Sequence, residues 1–499
     1  MNPTNPAQLT NESAVDLQAV PVMPFDAFRQ AVARSLADGG RLASLFGQAV
    51  QGDGVRLYAL LAEDRMGALA VLATDVKDSY PSLTLDCPQA HWFEREIAEQ
   101  WNVQPLGHPW LKPIRFQAPY RGGRRTGPCG TADFFRVEGD EVHEVAVGPV
   151  HAGIIEPGHF RFQCHGEVVH HLEISLGYQH RGVERALAGG PDKRTIHYIE
   201  TLAGDTTVGH AMAYCQALEA LGRCNISPRA MALRGVALEL ERIANHVGDL
   251  GALSGDVGFL PTMSFCGRIR GDVLNLTAAL CGNRFGRGLV RPGGVSADVD
   301  DKAAAELRRA LEAASRDIAA AVNLLWNSAS VTARFEDAGP VPPDVCEQIG
   351  LVGPAARASG LDRDVRKDQP FGIYRFAHIP VSTWPSGDVF ARAQVRWLEI
   401  QRSIAFIQTQ LEALPQGPIR VEIAPPAAGR LAVSLVEGWR GEICHIALTD
   451  VSGRFARYKV VDPSFHNWFG LAYALRDQQI SDFPLCNKSF NLSYCGHDL

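Results

Sequence analysis

The spacing of apolar residues changes along the chain, and at its start it predicts a small mixed region. In residues 26–37 the apolar positions share one helical face, and residues 91–101 show the same period. Residues 55–61 and 69–73 are apolar runs of strand length. This mixture predicts a small α/β domain over residues 23–118.

A longer and mainly helical pattern begins at about residue 142. It opens with a predicted β-hairpin, whose strands cover residues 158–164 and 168–176. Further helices are predicted at 194–221, 228–250, 301–326 and 387–414, and short strands at 419–424 and 443–448. We therefore predict an α+β protein, in which the small α/β domain precedes a large, mostly helical domain over residues 142–499.

Two stretches fall outside these patterns. Residues 1–22 are polar and predict a loose tail. Residues 119–141 are predicted to link the two domains, and residues 120–128 within them are rich in Gly, Arg and Pro. Such a segment is either a mobile connector or a basic tether that lies on a partner subunit.

The amino-acid composition excludes several classes of function for this chain. With 499 residues, 46% of them hydrophobic, the chain is expected to bury a large core over more than one domain. A formal charge of −7 provides no basic surface, so no nucleic-acid partner is expected. The sequence has no 18-residue apolar run and no secretory signal pattern at its start. Its scattered cysteines fit a reducing compartment, so we expect a cytoplasmic protein that reaches a membrane through its partners.

Two short motifs in the first domain carry a family resemblance. Residues 92–97 read Trp-Phe-Glu-Arg-Glu-Ile, and Gly107, His108 and Pro109 follow. The helical carboxylates alone predict only a solvated helix face. Together with the Gly-His-Pro turn, they resemble the 30-kDa-type subunit of respiratory complex I.

The second domain resembles a related family along nearly its whole length. Residues 353–370 read like the signature of nickel-iron hydrogenase large subunits and of the 49-kDa-type subunit of complex I. Residues 148–161, 177–184 and 239–246 are similar to other motifs of that family, in the same order. The order of the two modules resembles the fused large subunit of group 4, formate hydrogenlyase-type hydrogenases and the fused subunit of some bacterial complexes I.

At most one of the four cysteine ligands of the nickel hydrogenases has a counterpart in this sequence. A nickel hydrogenase binds its metal with two Cys-x-x-Cys pairs, whereas no two of the 11 cysteines here are three residues apart. Alignment on the resemblance places Ala203 and Thr206 at the first pair and leaves at most one thiolate, Cys495, at the second. Because soft thiolates are required, no nickel-iron centre is expected. Another metal held by Cys486 and Cys495 is the alternative.

The resemblance to complex I implies a quinone pocket instead. His159 and Asp256 fall at the positions of a histidine and an aspartate that act near the quinone headgroup there. A carboxylate would orient the imidazole, raise its pKa and let it deliver a proton. The tyrosine that binds quinone in complex I falls near Gly204, with no replacement by position. The alternative for His159 is a hairpin histidine hydrogen-bonded to backbone.

The same resemblance nominates further site residues. Glu184 is either a proton relay or an ion-pair partner of Arg181 beside His180. Arg357, belonging to the strongest motif, is expected in a charged network that holds the cavity wall. The residues that the resemblance places at a catalytic position are His159, Asp256 and Glu184, and those at a cofactor-binding position are His159, Arg181, His210, Arg357, Asp364 and Arg366.

No nucleotide-binding or four-cysteine iron-sulfur signature occurs in the sequence, so this chain is expected to bind no cofactor firmly. The resemblance implies an oxidoreductase subunit, peripheral on the cytoplasmic face of the plasma membrane. It would receive electrons from a small iron-sulfur subunit, pass them to an acceptor such as quinone, and couple this to ion translocation by antiporter-like and other integral membrane subunits. The alternatives are a formate hydrogenlyase-type hydrogenase with an atypical site and a non-catalytic scaffold.

Overall fold

A computed structural model describes residues 6–122 and 127–499 of the chain. Its N-terminal part combines short strands with two α-helices. These elements are β1 (Ala7–Leu9), β2 (Ser13–Asp16), α1 (Phe25–Ala37), β3 (Arg41–Ala49), β4 (Val55–Glu63), β5 (Ala68–Val76), β6 (Ser79–Pro81), α2 (His91–Trp101) and β7 (Gln104–Leu106).

The core of this part lies between helix α1 and an antiparallel sheet. The sheet has the strand order β1-β5-β4-β3. Phe28 and Val32 lie one turn apart on α1, and both are buried against it. The predicted helices and strands of residues 23–118 are therefore present, and β3 is an additional strand that the sequence pattern did not indicate.

The larger part is mostly helical. Its elements are β8 (Val142–Val147), β9 (His159–His165), β10 (Val168–Ser175), α3 (Val183–Leu187), α4 (Thr195–Ile199), α5 (Thr207–Leu221), α6 (Pro228–Asp256), α7 (Leu260–Cys281), β11 (Val290–Arg291), β12 (Gly294–Val295), α8 (Asp301–Trp326), α9 (Ala329–Phe335), α10 (Pro343–Ile349), α11 (Gly353–Arg357), α12 (Val365–Asp368), α13 (Val389–Glu412), β13 (Arg430–Gly438), β14 (Gly441–Thr449), β15 (Phe455–Val461), α14 (Pro463–Ala474), α15 (Phe483–Phe490) and α16 (Tyr494–Asp498). The predicted α+β fold class, with a β-hairpin at the start of a mostly helical domain, is confirmed.

Side-chain caps fix where the long helices begin. Ser227 accepts a hydrogen bond from the backbone N–H of Ala230 at the start of α6. Asp300 and Asp388 cap α8 and α13 in the same way. Helix α6 is buried on nearly every side and packs against α7 and α13. It therefore forms the centre of the large part.

The predicted loose tail is wrong for residues 7–19. Strand β1 pairs with β5 of the N-terminal sheet, whereas β2 pairs with β13 at the edge of the sheet β15-β14-β13-β2. Asn11, between the two strands, donates to the carbonyls of Gln369 and Leu435. These pairings were not apparent from the polar local composition because their partners are distant in sequence: Ala7 pairs with Val71, and Ser13 pairs with Val433.

Two other predictions differ from the structure. The helix predicted at 194–221 is interrupted, since α4 ends at Ile199 and α5 begins at Thr207. Residues 419–424 form no strand, and only an isolated bridge joins Arg420 to Gly294. In the linker, residues 123–126 lie outside the described residues. The following segment packs on the hairpin, where Phe134 lies against the Arg161 guanidinium.

Candidate functional site

A cavity of about 480 Å³ opens between the β9–β10 hairpin, the end of α6 and the C-terminal segment. We call it the hairpin cavity. Its apolar wall includes Phe160 and Phe162 from β9 and Phe483 from α15. The Phe483 ring lies 4.8 Å from that of Phe160 and 5.0 Å from that of Phe162, between ring centroids. The cavity therefore has the flat aromatic sides that suit a planar ligand.

Strand alternation determines which side chains of β9 reach this cavity. Side chains on a strand point to opposite faces in turn. Phe160 and Phe162 face the cavity, so His159 and Arg161 belong to the opposite face. The Arg161 Nε donates to His159 Nε2 at 3.3 Å, as expected for neighbours on one face.

His159 is held by backbone and by its strand neighbour. Its Nδ1 lies 3.3 Å from the Gly148 carbonyl oxygen, and its ring centroid lies 5.2 Å from that of Phe134 in a tilted arrangement. These contacts define a neutral imidazole that donates from Nδ1 and accepts at Nε2. Burial lowers the pKa of His159, and the positive charge of Arg161 acts in the same direction. This geometry favours the interpretation of a hairpin histidine satisfied by backbone.

Asp256 lies on the rim of the hairpin cavity, at the last residue of α6. Burial raises the pKa of its carboxyl to about 6, although the nearby Lys488 ammonium opposes the shift. The negative end of the helix dipole also disfavours a carboxylate at this position. No described hydrogen bond or ion pair joins Asp256 to His159, so the predicted carboxylate–histidine pair is not formed.

The C-terminal segment supplies polar groups that sequence reasoning missed. Asn491 donates from Nδ2 to Asp249 Oδ1 at 2.6 Å, and the Lys488 Nζ lies 3.8 Å from the same oxygen. The Tyr494 hydroxyl is buried and has no hydrogen-bond partner among the described residues. Both Asn491 and Tyr494 line the cavity beside Lys488. The role of these side chains was not predictable from the sequence, in which the only signal for Asn491 and Tyr494 was their place in the C-terminal motif.

Glu184 is an ion-pair residue with partners other than those predicted. Its carboxylate accepts from Arg457 at 2.8 Å and from Lys459 at 3.0 Å. Burial alone would raise the pKa of Glu184, but these two cations lower it far below its usual value. Arg181 instead donates to the backbone carbonyls of Thr201 and Leu202. The arrangement favours the ion-pair interpretation of Glu184.

His210 lies in a buried hydrogen-bonded chain, away from the wall of the hairpin cavity. Its Nε2 is 3.0 Å from Asp462 Oδ2, and its Nδ1 is 3.1 Å from His445 Nε2. The His445 Nδ1 continues the chain to the Tyr458 hydroxyl at 2.9 Å. All four side chains are fully buried. The structure thus places His210 in an interior network between α5 and the β13–β15 sheet.

The motif residues Arg357, Asp364 and Arg366 belong to a larger set of charges in the interior. Arg357 binds Glu399 at 2.7 Å and Glu437 at 2.8 Å. Arg366 joins Asp364 at 2.6 Å. We call the complete set the buried charge cluster; its members are Glu239, Arg242, His246, Arg357, Asp364, Arg366, Glu399 and Glu437. A charged network is present beside α6 as expected, but none of its members lines the hairpin cavity.

Two family models match this chain. The model of the respiratory-chain NADH dehydrogenase 30 Kd subunit matches residues 29–123, and that of the 49 Kd subunit matches residues 256–430. The carbon monoxide-induced hydrogenase of Rhodospirillum rubrum is 32% identical over 70% of this chain and 97% of its own length. The chain belongs to the complex I 49-kDa and hydrogenase large-subunit family.

Other members of this family show the same mixture of types. Formate hydrogenlyase subunit 5 of Escherichia coli is 29% identical, over 91% of this chain and 84% of its own length. NADH-quinone oxidoreductase subunit 4 of Thermus thermophilus is 30% identical, over 68% of this chain and 90% of its own length. Since these relatives are subunits of oxidoreductases, the chain is a member of an oxidoreductase-subunit family, and it carries both the 30-kDa and the 49-kDa types in one polypeptide.

The hydrogenase relatives raise the question of a nickel-iron centre, which the residues here do not fit. Thr206 occupies one predicted ligand position, and its hydroxyl contacts Asp205, Trp439 and Arg440. Ala203, at the other position, has no donor atom. The surrounding groups are therefore oxygen donors and cations rather than the soft thiolates that such a centre requires.

The two C-terminal thiols lie in separate environments. Cys486 is fully buried near Arg392, and Cys495 lies 3.4 Å from the Ser493 hydroxyl. Burial raises the pKa of each thiol to about 11. Within residues 6–122 and 127–499, no three His, Cys, Asp or Glu side chains are grouped as metal ligands.

Over the same described ranges, no helix combines the length and apolar character needed to cross a bilayer.

Proposed function

We propose that this chain is the acceptor-site subunit of a membrane-associated, energy-converting oxidoreductase complex, and that it passes electrons from an iron-sulfur partner to quinone. The observation that carries the proposal is the hairpin cavity. Its volume of about 480 Å³ lies within the range of small-molecule sites. It also combines aromatic walls with a few polar groups at the rim, as expected for a site that orients a planar carbonyl compound.

Different residues of the cavity bind the quinone and supply protons to it. Phe160, Phe162 and Phe483 pack against the faces of the ring. Lys488 and the unpartnered Tyr494 hydroxyl donate hydrogen bonds to its carbonyl oxygens. Reduction of one quinone to quinol consumes two electrons, from the iron-sulfur partner, and two protons. Asp256 supplies protons at the rim, because a carboxyl with a pKa of about 6 exchanges a proton readily near neutral pH.

The names of the relatives support the wider setting. One relative is a subunit of NADH-quinone oxidoreductase and another is the membrane-bound hydrogenase subunit alpha of Pyrococcus furiosus. The proposal therefore includes a small iron-sulfur subunit that docks beside the hairpin cavity and antiporter-like membrane subunits that translocate ions. It places the chain peripherally on the cytoplasmic face of the plasma membrane, with His159 fixing the Gly148 segment beside the cavity.

The test uses the intact complex, purified through a tag on this subunit. Nickel, iron and zinc are measured together with H2 evolution and the reduction of a short-chain ubiquinone. We expect iron without nickel, no H2, and quinone reduction. Stoichiometric nickel with H2 evolution would overturn the proposal in favour of a hydrogenase with an atypical site.

Two substitutions then connect the reaction to the cavity. Asp256→Asn and Lys488→Met are expected to lower quinone turnover by about 10²-fold while the complex stays assembled. Asp317→Asn, on an exposed ion pair of α8, is the matched control and is expected to leave turnover unchanged. Unchanged turnover in both cavity variants would make the subunit a scaffold.

A further inference from the structure

The buried charge cluster contains one negative charge more than its cations balance. It has four carboxylates, three guanidiniums and one imidazole, and each member exposes 5% or less of its surface. An uncompensated charge in such an interior is costly, whereas one bound proton makes the cluster neutral. The composition of the cluster therefore calls for one proton among its acids and its histidine.

The hydrogen bonds show which carboxyl retains that proton. Asp364 receives paired bonds from Arg366, and Glu399 receives two from Arg357. Among the described residues, the Glu437 carboxyl accepts only from Arg357 Nη1, at 2.8 Å, and from the backbone N–H of Val365. The same Arg357 nitrogen lies 3.4 Å from Asp364. Two carboxylates that share one cation cannot both ionise easily. Glu437 accepts fewer hydrogen bonds from guanidinium groups than Asp364 does, so Glu437 is the protonated one.

Burial and the nearby Asp364 charge both favour the protonated form. They raise the pKa of Glu437 to about 7 against the attraction of Arg357. Arg366 and Arg242 also lower it. Three more charged groups, Arg41, Glu442 and Arg363, line the void beside Glu437; the first two form an ion pair with each other, so their effects largely cancel.

A water-sized void connects Glu437 with the surface. It measures about 20 Å³, which is room for one water, and Asp64 and Asp368 also line it. Both of these aspartates continue into the wall of an open groove of about 1200 Å³ between the N-terminal part and residues 360–370. Glu437 thus shares a water-sized void with two acids that also line the open groove.

The opposite side of the cluster leads to the hairpin cavity. His246 Nε2 lies 2.9 Å from Glu399, while its Nδ1 is buried without a partner among the described residues. The charges that act on His246 are Glu399, Arg242 and Arg396. One turn further along α6, Asp249 contacts Asn491 and Lys488 of the cavity wall. The unpartnered Nδ1 thus belongs to a residue one helical turn from Asp249, whose partners Asn491 and Lys488 line the proposed quinone site.

We propose that Glu437 is a proton-loading residue, which takes up a proton from the open groove between the N-terminal part and residues 360–370. The buried charge cluster then passes this proton through His246 toward the hairpin cavity. The destination rests on the proposed function. In the transfer, the Glu437 carboxyl loses a proton and becomes a carboxylate, and the His246 imidazole gains it and becomes a cation. The total charge of the cluster is unchanged. His246 then releases the proton to the cavity side, and water in the groove reloads Glu437.

The loading step is tested on the full chain by infrared spectroscopy, without any partner or quinone. We expect the wild-type minus Glu437→Gln difference spectrum to contain a carboxylic-acid C=O band that disappears as the pH rises through about 7. The subtraction removes the bands of Glu241, Asp256 and Asp368, which both proteins retain and whose pKa values are about 8, 6 and 6. The amide keeps the size and neutrality of the protonated acid, so this variant is expected to fold. Glu219→Gln, which removes a similarly buried carboxylate paired with Arg234, should keep the band. The absence of this band from the difference spectrum would overturn the assignment.

The delivery step is tested in the intact complex. Glu437→Gln and His246→Gln are expected to lower quinone turnover about tenfold or more with little change in KM, because neither residue touches the cavity. Asp368→Asn should lower turnover only at high pH, where protons are scarce in the groove. Turnover at the wild-type rate in both cluster variants would contradict proton delivery through Glu437 and His246. If the wild-type complex does not reduce quinone, the proposed function fails, and the infrared result alone decides whether Glu437 is loaded.

Discussion

At the scale of single residues, the donors around each buried carboxylate determine its charge. Glu184 faces two cations and stays ionised, because Arg457 and Lys459 outweigh the effect of burial. Glu241 is equally enclosed but receives mainly the backbone N–H groups of Val208 and Gly209, and burial raises its pKa to about 8. Two glutamate side chains in one helical domain therefore differ in protonation state at neutral pH: Glu184 is ionised, whereas Glu241 is mainly protonated.

Replacement of Glu184 is expected to destabilise the protein. Glu184→Gln would leave Arg457 and Lys459 with too little negative charge in the interior, which costs about 3 kcal/mol. Because the folded-state pKa of Glu184 is depressed, its stabilisation is present above the unfolded pKa and is lost as the pH falls. Urea unfolding at pH 7 measures the loss. Glu312→Gln, which removes an exposed partner of Arg316, should cost less than about 0.5 kcal/mol, and an equal cost in both variants would refute the ion-pair role.

Glu241 is expected to give the opposite dependence of the unfolding free energy on pH. Its folded-state pKa of about 8 exceeds the usual 4.5, so the native state binds more protons between these values. Stability from this group therefore falls as the pH rises across that window, by at most about 1.4 kcal/mol per pH unit. Glu241→Gln should remove this slope, measured as the difference in unfolding free energy from the wild type between pH 5 and pH 9. Parallel curves for the two proteins would show that Glu241 does not titrate there.

At the scale of elements, the spacing of apolar residues and the helix caps predicted the bounds of an element correctly where no distant contact determines them. Helices α2 and α8 have the predicted bounds, and the Asp300 cap explains the start of α8. The break between α4 and α5 was not predictable from spacing. Asp205, within the break, binds Arg440 more than two hundred residues away, at 2.6 Å. Edge strand β2 was missed for the same reason, since only its pairing with β13 makes it a strand.

The connection between β1 and β2 is expected to depend on Asn11. Its side chain bonds to the carbonyls of Gln369 and Leu435 and accepts from the N–H of Leu435. Asn11→Ala would leave these buried backbone groups unpaired and cost about 3 kcal/mol. Chemical denaturation of the full chain measures the change. Gln8→Ala, which removes an exposed contact to Glu63, is the control and should be nearly neutral; similar effects in both variants would contradict the specific role of Asn11.

At the scale of the whole molecule, the family and the two parts were predictable from motifs, whereas the site was only partly so. Motif order identified the family, and it placed Asp256 on the rim of the cavity. It did not show that strand alternation turns His159 away from that cavity. It also gave no sign that Asn491 and Lys488 complete the wall, because their role depends on how the C-terminal segment packs against α6.

The two parts of the chain are expected to unfold together, although they match two different family models. Lys459 of the large part binds Glu96 of α2 at 2.7 Å in a fully buried pair, and Trp92 and Phe93 of the same helix pack on Phe465. Residues 7–16 add a strand to a sheet in each part. Separation of the parts would expose this apolar surface and leave buried charges unpaired, so neither part is expected to remain folded without the other.

Calorimetry of the full chain tests this coupling. We expect one transition, whose calorimetric and van't Hoff enthalpies agree. Glu96→Ala should lower its midpoint without splitting it, because the loss of a buried partner for Lys459 and Arg115 weakens the contact on which both parts depend. Asp75→Ala, at an exposed pair with Arg56 in the N-terminal part, should leave the midpoint nearly unchanged. Two separate transitions in the wild type, or a split caused by Glu96→Ala, would show that each part is stable by itself and that the interface only joins them.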